Sequence, residues 1–150
     1  MSKERVDIYK VDAAYYTPIL ELDKKLRNSF LSSTELLLIY IRASQINACA
    51  YCIQSHIQEA IEKGEKHYRI HALLAWEHSP FFTKEERVIL KITEEVTEIA
   101  NHGLSNETYT RAADLFDERK ISDIIMAVTC INAWNRIGRA TLLIPTQSQN

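Results

Sequence analysis

The sequence predicts an all-α fold, a helical bundle, and three observations carry that expectation. The chain holds only three glycines and three prolines, so few residues interrupt regular structure. Its apolar residues recur mostly at helical spacing, and no convincing run alternates with period two. Two segments, Ser32-Ser-Thr-Glu35 and Thr83-Lys-Glu-Glu86, have the reciprocal capping pattern that opens helices. No linker-like stretch divides the chain. Its 150 residues read as one domain over 1–150, long enough to bury a real core.

The elements follow in order. Asp12 can cap a helix running to about Phe30, with Pro18 implying a kink or a later start. The first capping box opens a second helix near Ser33 that runs through Arg42. Asn47 can cap a third, with Gly64 as its stop. A short helix follows through Trp76, and His78-Ser-Pro80 breaks the chain. The second capping box opens a long helix that Gly103 ends. Ser105 caps the next helix, and Ser122 or Asp123 starts the last one, which reaches about Ala140. Pro145 and Gln147-Ser-Gln-Asn150 read as a frayed terminus. In the last helix Ile121, Ile124, Ile125, Val128, Ile131 and Trp134 cover more than one narrow stripe. That pattern predicts a helix at the centre of the bundle, at a subunit interface, or both.

Composition excludes several function classes. The formal net charge is -2 and no basic stripe is present, so the electrostatic footprint of a nucleic-acid binder is missing. The charged start leads to no apolar signal region. Glu35-Leu-Leu-Leu-Ile-Tyr-Ile-Arg42 is far too short to span a membrane. These observations predict a cytoplasmic protein with neither a membrane nor a nucleic acid as partner. In a reducing compartment, a close cysteine pair points to redox chemistry or metal binding rather than a permanent staple.

Such a pair is present in Cys49-Ala-Tyr-Cys52-Ile-Gln-Ser-His56. Two thiols at this spacing can close into a small disulfide ring and reopen. With Asn47 as the cap, Cys49 falls in the first helical turn, where unpaired N–H groups and the positive dipole end favour a thiolate. His56 lies one turn past Cys52 and can take its proton. Proximity to His56 favours Cys52 as the reactive thiol, and the dipole favours Cys49. Two other readings stand beside this one: half of a zinc site completed by His56 with Cys130 or His71, or two ordinary buried cysteines.

The segment Arg42-Ala-Ser-Gln-Ile-Asn-Ala-Cys-Ala-Tyr-Cys-Ile-Gln-Ser-His56 resembles the core motif of the AhpD-like alkylhydroperoxidases, within the carboxymuconolactone decarboxylase superfamily. The resemblance continues through Ala75-Trp76, Pro80-Phe-Phe-Thr-Lys-Glu-Glu-Arg87, Glu94-Glu-Val-Thr97 and Ile131-Asn-Ala-Trp-Asn-Arg136. It implies an AhpD-like all-helical fold, assembled as a trimer or hexamer. It also implies a thiol peroxidase, reducing a peroxide through the cysteine pair and recharged by a dithiol such as dihydrolipoamide. By the resemblance, Cys52 attacks the peroxide, Cys49 closes the disulfide and His56 relays protons. The scheme requires no metal, flavin or haem.

One position departs from the pattern. The family's relay glutamate falls twelve residues before the first cysteine, where this chain has Leu37. Glu35 is two residues away, which turns a helical side chain by roughly 200°, and it has a sufficient role in the capping box. Glu94, in the matching Glu-x-Val-Thr segment, is the substitute candidate, against a plain solvated charge beside Glu95. Without a carboxylate on His56, turnover would be slow.

Elsewhere, Cys130 reads as packing, with a third redox thiol as the alternative. Tyr51 stands between the two cysteines in sequence and reads as simple packing, with shielding of the pocket or contact with a neighbouring subunit as the alternatives. Asn132, Asn135 and Arg136 are polar groups on a largely apolar helix and need partners. His67 and His71, at i and i+4, lack further ligands and read as a solvated face. Two other functions stay open: a redox-sensing or scaffold oligomer with little turnover, and a lactone decarboxylase, which would not rely on a cysteine pair.

Overall fold

The computed structural model describes residues 5–145, and every regular element among them is helical. The order is α1 (Ile8–Val11), a 3-10 turn (Ala13–Tyr15), α2 (Thr17–Leu26), α3 (Ser33–Ile46), α4 (Ala50–Glu62), α5 (His67–Ala72), a 3-10 stretch (Leu73–His78), α6 (Lys84–Thr97), α7 (Asn106–Ala113) and α8 (Glu118–Thr141). No helix is long and apolar enough to cross a membrane among the described residues.

The bundle is organised around α3. Every residue from Leu36 to Ile41 is buried, with Ala43 and Ser44, because α4, α6 and α8 all pack against it. One side of α3 enters a cluster with Leu26, Ile89, Ile92, Ile124, Val128 and Ile131. The other side meets Ala60, Ile70, Leu73 and Trp76. Burying each such side chain contributes roughly 1.5–3 kcal/mol. Leu37 belongs to the second cluster and is 3% exposed.

Both capping boxes form. Ser32 and Thr83 each accept from the N–H of the glutamate three residues on, and Glu35 and Glu86 accept in return from the cap N–H. Ser105 caps α7, and Gly64, at φ +93°, follows α4 in the left-handed conformation.

Several expected boundaries move: α2 ends at Leu26 rather than near Phe30, and α3 runs past Arg42 to Ile46. Asp12 caps only the 3-10 turn, through Ala14 N, and the long helix starts at Thr17, where Pro18 occupies the first turn and needs no N–H partner. Asn47 ends α3 instead of opening α4, because its side-chain amide is drawn to α8. Cys49 is the N-cap of α4 in its place. α6 stops at Thr97, and irregular turns lead to Gly103. α8 begins at Glu118, capped by the Asp117 side chain on Lys120 N, while Ser122 turns back onto Glu118 O as an interior serine. Within the C-terminal tail, residues 146–150 lie outside the described residues.

Candidate redox site

The site lies where the α3–α4 turn meets α8. Ala48 takes a left-handed conformation at φ +52°, which reverses the chain. Cys49 N–H then donates to Ser44 O at 3.0 Å. Cys49 and Cys52 are bonded to each other, with Cα atoms 5.3 Å apart. Because Cys49 is the N-cap, Cys52 occupies the third position of α4. This places Cys52 in the first turn, among the unpaired N–H groups that stabilise a thiolate. Cys49 at the N-cap faces the same N–H groups, so the helix end serves both thiols, while His56 lies one turn past Cys52.

α8 approaches this disulfide at Gly138. A Cβ there would lie 2.9 Å from Cys49 Sγ and 3.5 Å from Cys52 Sγ, so only glycine lets the helix pass. Beside it, a cavity of about 290 Å³ is lined by Cys49, Ala48, Gly138, Arg139, Leu142 and Leu143, among others.

A polar network holds the turn against α8. Asn47 Nδ2 donates to Asn132 Oδ1 at 3.0 Å and to Asn135 Oδ1 at 2.9 Å. Asn135 Nδ2 donates to Ser44 Oγ, and Asn132 Nδ2 to Thr97 Oγ1 and Val128 O. Arg136 Nη1 donates to Asn132 O and Oδ1. The amides on the apolar helix are thus fully engaged, as buried amides must be.

His56 follows Cys52 by one turn of α4, on the same face. Its ring meets the Tyr40 ring edge-on at 4.9 Å. Its Nδ1 is buried and has no hydrogen-bond partner among the described residues. The facing carboxylate is Glu59, whose Oε2 lies 3.8 Å from Nδ1. Burial pushes the His56 pKa below its ordinary value; Glu59 opposes the shift and Arg27 adds to it. Glu59 is bound by Arg27, through Nη2 to Oε2 at 3.2 Å, and by Lys63 Nζ at 3.1 Å. Arg27 also binds Asp23, which accepts from the Tyr40 hydroxyl at 2.7 Å.

The other candidates have partners of their own. Glu94 Oε1 accepts from Arg42 Nε at 2.9 Å and from Trp76 Nε1 at 2.7 Å, with Arg42 Nη2 also 2.7 Å away. Its carboxylate ties α3 and the 3-10 stretch to α6. Glu35 serves its capping box and a 2.7 Å bridge to Lys120; burial works against its charge, but Lys120 and Ser32 keep its pKa low. Cys130 is buried near Ile19 O, its pKa raised by burial. Tyr51 is exposed rather than packed in the core. His67 and His71 face each other at 6.4 Å, and no group of three or more His, Cys, Asp or Glu with metal-holding geometry occurs among the described residues. Sequence reasoning missed Gly138, Glu59 and Arg27. For Glu59 a signal existed: it is three residues past His56, hence a neighbour on the helix surface.

An all-α bundle with a closed Cys-x-x-Cys pair at a helix start, and a histidine one turn on, defines a helical protein built around a redox-capable thiol pair. The pattern of the Carboxymuconolactone decarboxylase family matches residues 13–95, and the chain belongs to that family, in its AhpD-like branch. The uncharacterized protein YdfG of Bacillus subtilis strain 168 is 34% identical over 137 residues, spanning 91% of this chain and 93% of that one. A crystal structure from Agrobacterium tumefaciens superposes with a TM-score of 0.94 at 29% identity, covering 97% of this chain and 100% of that one. That protein is of unknown function and proposed to be the antioxidant defence protein AhpD. An uncharacterized peroxidase-related protein of Ralstonia eutropha JMP134 shares the fold, with a TM-score of 0.78 at 16% identity, over 93% of this chain and 75% of that one.

Proposed function

We propose that the protein is a thiol-dependent peroxidase working as a homo-oligomer in the cytoplasm. The reading is carried by one observation: Cys52 sits in the first turn of α4, paired with Cys49 and one turn before His56. In the reduced protein, His56, neutral near pH 7, takes the Cys52 proton. The thiolate attacks the distal peroxide oxygen as the O–O bond breaks. The leaving alkoxide takes the proton back from His56, and Cys52 becomes a sulfenic acid. The Cys49 thiol then condenses with it, releasing water and forming the disulfide.

An external dithiol of the dihydrolipoamide type reopens the ring. The cavity beside Cys49 favours attack of its thiolate on Cys49 Sγ. Cys52 then departs as the thiolate that the helix end stabilises. The dithiol's second thiol resolves the mixed disulfide, so the reductant leaves oxidised and both cysteines are free.

The test is peroxide consumption with dihydrolipoamide as the electron source. Cys52→Ser is expected to abolish turnover, and Cys49→Ser to stop it after one equivalent. Equal slow loss with wild type and Cys52→Ser would refute the reading. A second reading, a redox sensor with little turnover, draws on Leu37: the position of the family's relay glutamate is apolar core here. It predicts one rapid oxidation without sustained turnover.

A further inference from the structure

We propose that Glu59 is the carboxylate partner of His56, taking the part left vacant at Leu37, and that Arg27 holds it at the distance from which it closes when the imidazole gains a proton. The proposal rests on the thiol–disulfide reading of the site and names its missing proton support.

The geometry is specific. Nδ1 of His56 is enclosed and unpartnered, and Glu59 Oε2 stands 3.8 Å away, beyond a hydrogen bond but within reach of a small side-chain rotation. Glu59 Oε1 is occupied by Arg27 Nη1 and Lys63. Among the described residues, Oε2 accepts from Arg27 Nη2 alone, at 3.2 Å, and has capacity for a second donor.

A neutral imidazole explains the gap. Nε2 can take the Cys52 proton only in the tautomer that carries its own proton on Nδ1, the nitrogen facing Glu59. The neutral N–H draws weakly on a carboxylate that Arg27 holds, and once Nε2 is protonated the imidazolium Nδ1–H draws Oε2 closer. The charge-assisted bond then favours the thiolate–imidazolium pair. When the leaving alkoxide takes the proton from Nε2, the imidazole returns to the neutral Nδ1–H form and the bond to Oε2 weakens.

Helices α2, α3 and α4 present titratable or charged groups to His56. α2 contributes Asp23 and Arg27, α3 contributes Tyr40, and α4 contributes Cys52 and Glu59. Cys130 of α8 lies behind the Tyr40 hydroxyl. Asp23 is engaged by Tyr40 and Arg27, and Glu59 is the carboxylate that stands 3.8 Å from Nδ1.

The experiment uses the full chain, reduced, and follows two signals: the NMR titration of the His56 imidazole, and the rate of Cys52 alkylation by iodoacetamide in a Cys49→Ser background. Glu59→Gln is expected to move the His56 titration to lower pH and to slow alkylation at pH 7 by about tenfold, the low end for a lost histidine-orienting carboxylate. Glu59→Asp should restore part of both signals. Arg27→Gln releases Glu59 and should move the His56 titration the opposite way.

Loss of charge alone already moves the His56 titration in these two directions, so Cys52 reactivity decides: a shifted titration with unchanged alkylation in Glu59→Gln would overturn the proposal. So would unchanged titration and alkylation in Glu59→Gln. Peroxide consumption is read separately. Shifted His56 and Cys52 signals in a protein that consumes no peroxide support Glu59 and remove the peroxidase reading. Sustained consumption with unshifted signals does the reverse.

Discussion

Gly138 decides how tightly the oxidised site can close. In a helix interior alanine is ordinarily better than glycine by about 1 kcal/mol. Here the added Cβ would meet Cys49 Sγ at 2.9 Å, and that sulfur is tethered to Cys52. Overpacking of this kind costs about 1–3 kcal/mol. In the reduced protein the thiol is free to rotate away. Gly138→Ala is therefore expected to lower the melting temperature of the oxidised form by a few degrees while leaving the reduced form unchanged or higher. Equal shifts in both forms would show that the contact is not with the disulfide. His56 supplies a second residue-level expectation. Burial lowers its pKa in the folded state, so the unfolded chain takes up the proton first as pH falls through about 6.5. Stability should be fully retained above that pH and lost progressively below it, until the folded-state value is reached. His56→Gln should flatten this part of the stability–pH curve, as read by urea unfolding at a series of pH values.

The α3–α4 turn shows which elements could be read from the sequence. The two capping boxes were legible because both partners lie within four residues. The Cys52–His56 register was legible because a helix repeats its face every turn. Asn47 looked like a cap by the same local logic, yet its amide is committed to Asn132 and Asn135 on α8, partners no local pattern reveals. Gly138 and Arg27 were hidden for the same reason: each reaches the site from a different helix. Asn47→Ala tests this. Asn132 Oδ1 would keep its bond from Arg136, while the buried Asn135 Oδ1 would lose its donor. An unpaired buried acceptor costs about 1–3 kcal/mol. The urea midpoint is expected to fall with an unchanged slope. A change in slope instead would place the effect in the compactness of the unfolded or native ensemble.

At the scale of the whole molecule, the apolar pattern of α8 is only partly consumed by the bundle. Its inner face, including Ile124, Val128 and Ile131, is buried. Its outer face, with α6, forms a groove of about 490 Å³ lined by Val96, Ile99, Ile125, Thr129, Ala133 and Arg136, among others, and Met126 is also exposed. Single exposed apolar residues are ordinary, but a contiguous apolar groove marks an interaction surface. In the proposed homo-oligomer a second copy covers it. Light scattering after gel filtration is expected to give an integral multiple of the chain mass. Ile99→Glu, at a residue 54% exposed, should reduce that mass while leaving the far-ultraviolet helical signal intact. A wild-type mass of one chain would refute the assembly, and an unchanged mass in Ile99→Glu would move the interface elsewhere. In that proposed assembly the groove would connect to the thiol site, because Arg136 lines it and also binds Asn132 in the network that holds the α3–α4 turn. Dissociation by Ile99→Glu should therefore loosen the turn and speed reduction of the Cys49–Cys52 disulfide by a dithiol. An unchanged reduction rate in the dissociated variant would show that the site is complete within one chain.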